Sequence, residues 1–380
     1  MKCNGIDTVS GSHFQISFSE VVESVEDVFS QPEERVYIAP GFIDLQVNGF
    51  FGVDYNSPTT PHDEIARSIR VMFATGVTRF FPTVITGSPE NMAGCLANLA
   101  GARERLSEGA AMEAFHVEGP FISPEDGPRG AHPREWVRAP DVDEFHRMQD
   151  AARGLIRLVT LSPEWPQATH FIEQVVREGV AVSIGHTQAS AAQLEAAVNA
   201  GGTLSTHLGN GAHAMLPRHP NYIWEQLAED RLAASFIVDG IHLGRAFLRT
   251  AIRAKGAERA ILVTDAVAPA GCAPGGYTIG GMAVELHGDG SVRLRDGERL
   301  AGSALMMDWA VSNVMKMADV SLRDAVTMAT RNPARVGRVA SRMRGLAVGE
   351  RADLIRFRVQ DDGGIRVIET WMSGQRVFSA

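Results

Sequence analysis

The sequence predicts an α/β fold: a TIM-like (β/α)8 barrel with a small β-sandwich domain formed by both chain termini. Three observations predict it. Through the middle of the chain, short apolar runs alternate with amphipathic helical stretches, and there are eight such runs, the number of parallel strands that closes a barrel. Glycines that end helices recur at Gly76, Gly179, Gly201 and Gly256, each just before the next apolar run. Both ends of the chain show two-residue alternation with turn punctuation, which argues strands. The expected division is 1–39 with 345–380 for the small domain and 40–344 for the barrel. A doubly wound open sheet is the structural rival.

Taken in order, the first 38 residues read as short strands. His13-Phe-Gln-Ile-Ser-Phe alternates apolar and polar, and Arg35-Val-Tyr-Ile-Ala leads into Pro40-Gly41. Barrel strands are expected at 42–45, 78–82, 114–118, 157–161, 180–185, 203–207, 235–239 and 260–265. Helices are expected between most of them, for example at 64–75, 90–106, 168–178, 191–200 and 244–255. The stretch 269–296 is rich in glycine and interrupts the alternation, so it reads as an excursion from the barrel, a hairpin being its simplest form. The C-terminal end alternates over 353–359, turns at Asp361-Asp-Gly-Gly and resumes from Ile365. A lone hairpin is marginal in water, so the two ends are expected to pair.

Composition excludes several classes. The 380 residues are 44% hydrophobic and 21% charged, which is ordinary for a globular chain and unlike a disordered or fibrous one. Net charge is −9 and no Lys/Arg block occurs, so neither nucleic acid nor an anionic membrane is an expected partner. No apolar run approaches the roughly 18 residues of a membrane span. The start lacks the apolar core of a signal peptide. Cys3, Cys95 and Cys272 are widely spaced, so no disulfide framework and no Cys-based zinc knuckle is implied. The expected location is the cytoplasm.

Chemistry in such a barrel gathers at the C-terminal ends of the strands. Those ends read Asp44-Leu-Gln46-Val-Asn48, His116-Val-Glu118, Gly185-His186-Thr187, Thr206-His207-Leu-Gly-Asn210, Asp239-Gly-Ile-His242 and Thr264-Asp265. A single histidine or aspartate after a strand is usually a plain loop residue or a helix cap. Six such ends in one chain are hard to obtain that way. One carboxylate and two imidazoles, Glu118, His186 and His207, make a mixed oxygen and nitrogen set suited to a zinc-like divalent ion with an open position for water. Such an ion lowers the pKa of its water. Asp265 then suits a general base that later serves as acid for the leaving group. The set is machinery for metal-assisted hydrolysis.

The ordered combination Pro40-Gly-Phe-Ile-Asp-Leu-Gln-Val-Asn-Gly, His116-Val-Glu-Gly-Pro, Gly185-His-Thr, Thr206-His-Leu-Gly-Asn, Asp239-Gly-Ile-His and Val263-Thr-Asp-Ala-Val-Ala-Pro-Ala-Gly resembles the N-acetylglucosamine-6-phosphate deacetylase family of the amidohydrolase superfamily. The resemblance runs from about residue 36 to the C-terminus. It includes Leu300-Ala-Gly-Ser303 and the superfamily-wide tail Gly345-Leu-Ala-Val-Gly-Glu-Arg-Ala-Asp-Leu. It implies a metal-dependent hydrolase barrel that converts N-acetylglucosamine 6-phosphate to glucosamine 6-phosphate and acetate. It also implies a single divalent metal, zinc or iron for example, held by Glu118, His186 and His207, with Asp265 as the catalytic acid/base. His132 is implied as the loop histidine that polarises the acetamide carbonyl, and His242 as a substrate-binding histidine. Asn210 and Gly211 match the segment that holds the sugar phosphate. Arg218 matches an arginine reaching the phosphate from the neighbouring subunit, which implies a homodimer. Leu305 and Met306 match a loop covering the sugar, though ordinary core packing explains them equally well.

Many amidohydrolases place His-x-His on the first strand for a second metal. Here that place reads Gln46-Val-Asn48, and amides are poor zinc ligands, so one strongly bound metal is expected. Gln46 is then left to hydrogen-bond the metal's water or to stand behind the ligands. The chain departs from the resemblance at 211–224, where His213, His219 and Trp224 are additions and Asn221 replaces an expected glycine. The departure bears on the 6-phosphate and leaves the hydrolytic chemistry intact. Two other readings stay open: an amidohydrolase for an unphosphorylated amino sugar or other N-acyl substrate, and a noncatalytic sugar-binding barrel.

Overall fold

The computed structural model of the chain describes residues 1–28, 35–295, 297 and 299–380. Segment 29–34, part of the N-terminal stretch read as strands, and Asp296, the expected end of the excursion, lie outside the described residues.

Eight parallel strands form one sheet in chain order: Phe42–Val47, Val77–Ile85, Phe115–Glu118, Ile156–Leu161, Ala181–Ile184, Gly202–Ser205, Ala233–Phe236 and Ala260–Leu262. Each pairs in parallel with the next. The seam between first and last is closed just past the strand ends. Val47 bridges Ala266 in parallel, Asn48 N donates to Ala266 O at 2.7 Å, and the Thr264 hydroxyl donates to Asp44 Oδ2 at 2.6 Å. The sheet is therefore a nearly closed barrel, and the doubly wound alternative is excluded. Burial pushes the Asp44 carboxyl up to about 7 despite the donors around it.

All eight strands stand where the apolar runs placed them. The last four end one to three residues earlier than read, because the chain leaves the ladder to aim side chains into the mouth. The helices His62–Phe73, Pro89–Arg105, Ala168–Arg177, Ala191–Asn199 and Arg245–Lys255 match the five expected ones to within two residues. Their buried faces follow the helical period: Ile65, Ile69, Met72 and Phe73 in the first, Ala168, Phe171, Ile172 and Val175 in the third. Ser190 and Gln193 close a reciprocal capping box on the fourth.

The termini form one seven-stranded sheet. Lys2–Asp7, His13–Phe18, Val22–Asp27 and Tyr37–Pro40 come from the N-terminal end, and Leu354–Val359, Ile365–Met372 and Gln375–Ser379 from the C-terminal end. The halves join where Tyr37–Pro40 runs antiparallel to Leu354–Val359. Phe18 and Trp371 lie on strands four steps apart in this sheet, about 19 Å if it were flat. Their ring centroids are 6.0 Å apart, edge to face. The sheet therefore folds over on itself, as a sandwich does, and encloses Phe14, Ile16, Phe18, Ile38, Leu354 and Trp371.

Asp353, in the tail segment 345–354, ties this domain to the barrel. Its carboxylate accepts from Arg79 Nε at 2.7 Å, Arg79 Nη2 at 3.0 Å, Arg342 Nη1 at 2.7 Å and Ser373 N at 2.6 Å. Arg79 belongs to the second barrel strand, and all three side chains are buried. Burial alone would raise the Asp353 pKa, but the two guanidinium groups hold it well below the ordinary carboxylate range.

The excursion is larger than a hairpin. Gly275–Ile279, Met282–Leu286, Ser291–Leu294 and Leu300–Ser303 form a four-stranded antiparallel meander with its own small core, including Val267, Ile279, Val284 and Val292. Its glycines sit at turns such as Gly280-Gly281, and they break up the alternation that strands would otherwise show. No helix among the described residues is long and apolar enough to cross a membrane.

Candidate active site

Glu118 is the last residue of the third barrel strand. His186 and His207 stand two residues beyond the fifth and sixth strands, and Asp265 three beyond the eighth. The backbone at His186, His207 and Asp265 has φ of +48°, +27° and +51°. Such conformations cost a residue with a Cβ about 1–3 kcal/mol and persist where the surroundings enforce them. Three of them at one end of one barrel turn three polar side chains toward the axis.

The three expected ligands meet. His207 Nε2 lies 2.9 Å and His186 Nε2 3.3 Å from Glu118 Oε1. One ligand atom from each of the three residues lies within 4.8 Å of the other two. His186 Nδ1 donates to Pro128 O at 2.8 Å, which leaves its Nε2 lone pair facing a carboxylate oxygen. Two acceptors meet favourably only around a proton or a cation. His207 Nδ1 is buried without a hydrogen-bond partner among the described residues. The donor set and the oriented His186 ring therefore fit a divalent metal with mixed nitrogen and oxygen ligands.

Gln46 and Asn48, from the first strand and its end, hold the carboxylates in place. Gln46 Nε2 donates to Glu118 Oε1 at 2.9 Å and to Asp265 Oδ1 at 3.0 Å, and Asn48 Nδ2 donates to Asp265 Oδ1 at 2.7 Å. The two carboxylates are driven apart in pKa. Burial would raise Glu118, but the His186 and His207 imidazoles beside it hold it well below its usual range. Burial, with the nearby Glu118 charge, pushes Asp265 up to about 6. Two carboxylates pushed apart in this way are candidates for separate acid and base roles.

His132 Nδ1 is 2.8 Å from Thr86 Oγ1, and its ring stands edge to face with His186, 4.5 Å between centroids. Burial, then the neighbouring His186, pushes its pKa down to about 3, so the ring is neutral. His242 Nδ1 is 2.6 Å from Asp239 Oδ2. His116, on the strand before Glu118, points into the barrel and meets Thr160 Oγ1 at 2.8 Å.

A cavity of about 490 Å³ opens on this group. Glu118, His186, His207, Asp265, Asn48, His132, Asn210, Gly211 and His242 all line it. Arg218 does not line it; the side chain is exposed on the 211–221 segment. Leu305 is buried in the core and Met306 caps the helix Met307–Ala318, and neither lines the cavity. From that part of the chain the lining comes instead from Leu300, Ala301 and Gly302. Sequence reasoning missed Thr86, which stands one residue past the second barrel strand but outside the six strand ends singled out, and it missed Arg299 and the meander residues Ile279 and Met282, which follow no barrel strand.

The model of the amidohydrolase family matches residues 37–377. The chain belongs to the amidohydrolase family. An N-acetylglucosamine-6-phosphate deacetylase of Bacillus subtilis (strain 168) is 33% identical over 353 residues, covering 92% of this amidohydrolase and 86% of its relative. An N-acetylgalactosamine-6-phosphate deacetylase of Escherichia coli O157:H7 is 30% identical over 357 residues, covering 93% and 92%. The structure of a point variant of N-acetyl-D-glucosamine-6-phosphate deacetylase from Mycobacterium smegmatis, in complex with N-acetyl-D-glucosamine-6-phosphate, aligns with a TM-score of 0.89 at 29% identity, covering 100% of this chain and 99% of that one.

Proposed function

We propose that this amidohydrolase removes the N-acetyl group of N-acetylglucosamine 6-phosphate, giving glucosamine 6-phosphate and acetate. The observation behind it is the Glu118, His186 and His207 cluster set beside Asp265 in one cavity at the barrel mouth. Those three residues would hold one divalent metal per chain, zinc being the simplest choice for the set. When bound, such an ion supplies Lewis acidity and lowers the pKa of a water.

The protein's own groups divide the remaining work. Asp265 Oδ1 is held by Gln46 and Asn48, while Oδ2 has no hydrogen-bond partner among the described residues. Oδ2 takes the proton of the attacking water and returns it to the departing amine nitrogen. In the tautomer whose Nδ1 accepts from Thr86, the neutral ring carries its hydrogen on Nε2 and would donate it to the acetamide oxygen as negative charge develops there. Asn210, Gly211 and His242, the last oriented by Asp239, line the same cavity and would meet the sugar phosphate. Arg218, exposed in one chain, would act across a homodimer interface. A phosphorylated sugar is kept inside a cell by its charge, which supports a cytoplasmic location for the enzyme.

The test is acetate release by zinc-loaded protein, with Asp265→Asn as the blank and metal content measured on both. Preferential turnover of N-acetylglucosamine 6-phosphate over N-acetylglucosamine and N-acetylgalactosamine 6-phosphate supports the proposal. Preference for the unphosphorylated sugar would replace it with the second reading, which the position of Arg218 motivates. Preference for the galacto epimer would keep the chemistry and change the sugar.

A further inference from the structure

We propose that Arg299 is the cation with which this chain itself grips the phosphate of its substrate. The inference rests on the sugar-phosphate reading above and names a residue it does not use. A dianionic ligand entering the cavity meets the carboxylates Glu118 and Asp265. Among the described lining residues, Arg299 supplies the one guanidinium or ammonium group.

The backbone there is fixed. Arg299 O accepts from Leu294 N at 3.0 Å, and the next residues, Leu300–Ser303, form the last strand of the meander. The guanidinium is held loosely. Among the described residues its polar contacts are Nη1 to Gly130 O at 3.5 Å and Nη2 to Asp126 Oδ1 at 3.6 Å, both at or beyond the limit of a real hydrogen bond. The same Asp126 oxygen is already taken by a closer Arg129. Arg299 therefore keeps a planar fork of unspent donors at the cavity mouth, the geometry suited to bidentate phosphate binding.

Its position also fits. The loop it leans on abuts the segment matched to phosphate binding: a Cβ on Gly127 would lie 3.1 Å from His213 Cα and 3.4 Å from Ala212 O. Gly211 and Ala212 line the cavity with Arg299. Arg299 and the 210–212 segment thus border one cavity with this loop between them, and a phosphate held by the segment would compete with Asp126 for the guanidinium.

The test compares wild type, Arg299→Ala, Asp126→Asn and Arg218→Ala on N-acetylglucosamine 6-phosphate and N-acetylglucosamine. Arg299→Ala should raise KM for the phosphorylated sugar about ten- to a hundredfold, the range of a charge-assisted contact, and leave kcat and the unphosphorylated KM nearly unchanged. Asp126→Asn should leave the phosphorylated KM unchanged or lower it. Equal losses of kcat on both sugars in Arg299→Ala and Asp126→Asn would make the pair a structural tie between meander and loop, and overturn the proposal. A phosphate-specific rise in Arg218→Ala with none in Arg299→Ala would overturn it too. If wild type turns over neither sugar, the functional reading fails first. Calorimetric titration with glucosamine 6-phosphate then decides on Arg299: tight binding by wild type lost in Arg299→Ala sustains it, and no binding or equal binding sinks it.

Discussion

Gln46 Nε2 lies 3.0 Å from Asp265 Oδ1, and the same amide reaches Glu118 Oε1 at 2.9 Å. One neutral side chain thus spans the two carboxylates of opposite pKa tendency, a metal-ligand candidate and the acid/base candidate. Replacing it with leucine keeps the bulk and removes both donors. Gln46→Leu should lower metal retention or kcat by about ten- to a hundredfold, as loss of a group behind a ligand typically does. Elemental analysis after dialysis, paired with kcat, would show which; unchanged values of both would reduce Gln46 to packing.

Gly211 presses against His186. Its φ is +56°, and a Cβ there would lie 2.6 Å from His186 Nδ1, the atom that donates to Pro128 O. Gly211→Ala is therefore expected to rotate the imidazole and weaken metal binding, with the fold retained. Circular dichroism of wild-type form together with a lowered zinc content is the expected result; full zinc content would show that the loop yields instead of the ring.

Thr86 is the hydrogen-bond partner of His132 Nδ1. Thr86→Val removes the hydroxyl at nearly constant shape, so Nδ1 loses its partner at 2.8 Å. The expected cost is about tenfold or more in kcat with little change in KM, because the lost interaction strengthens as charge develops on the acetamide oxygen. A change confined to KM would instead place His132 in ground-state binding.

Asp353 should decide acid stability. Asp353→Asn removes the carboxylate that the buried Arg79 and Arg342 guanidinium groups share, leaving Arg79 the more distant Glu113 at 3.8 Å, at a cost of about 3–5 kcal/mol. The folded-state pKa of Asp353 lies below its unfolded value, so its contribution is complete above about pH 4 and is lost as pH falls below that. Chemical denaturation at pH 7 and pH 3 should show the wild-type advantage over the variant shrinking at the lower pH. An advantage independent of pH would point to shape and not to charge.

Glu118, His186, His207 and Asp265 were legible in the sequence because each follows its own strand, and a strand is a local pattern of apolar residues. The order of eight such runs was enough to place the four ends on one rim. Alternation at both termini likewise foretold a shared β domain. The meander was underread because its strands are short and glycine-punctuated, and its last residues turned out to wall the cavity.

The partners of those side chains were decided by the tertiary structure alone. Gln46 reaches Glu118 over 72 residues and Asp265 over 219, Arg79 meets Asp353 over 274, and Arg299 approaches Gly130 over 169. Periodicity tells which face of an element is buried, since that depends on neighbours within a few residues. Which distant group fills the remaining hydrogen bonds depends on barrel closure and on the close packing of loops across its mouth. That is why the metal-site candidates can be read along the chain, while Arg299 comes into view only once the chain is folded.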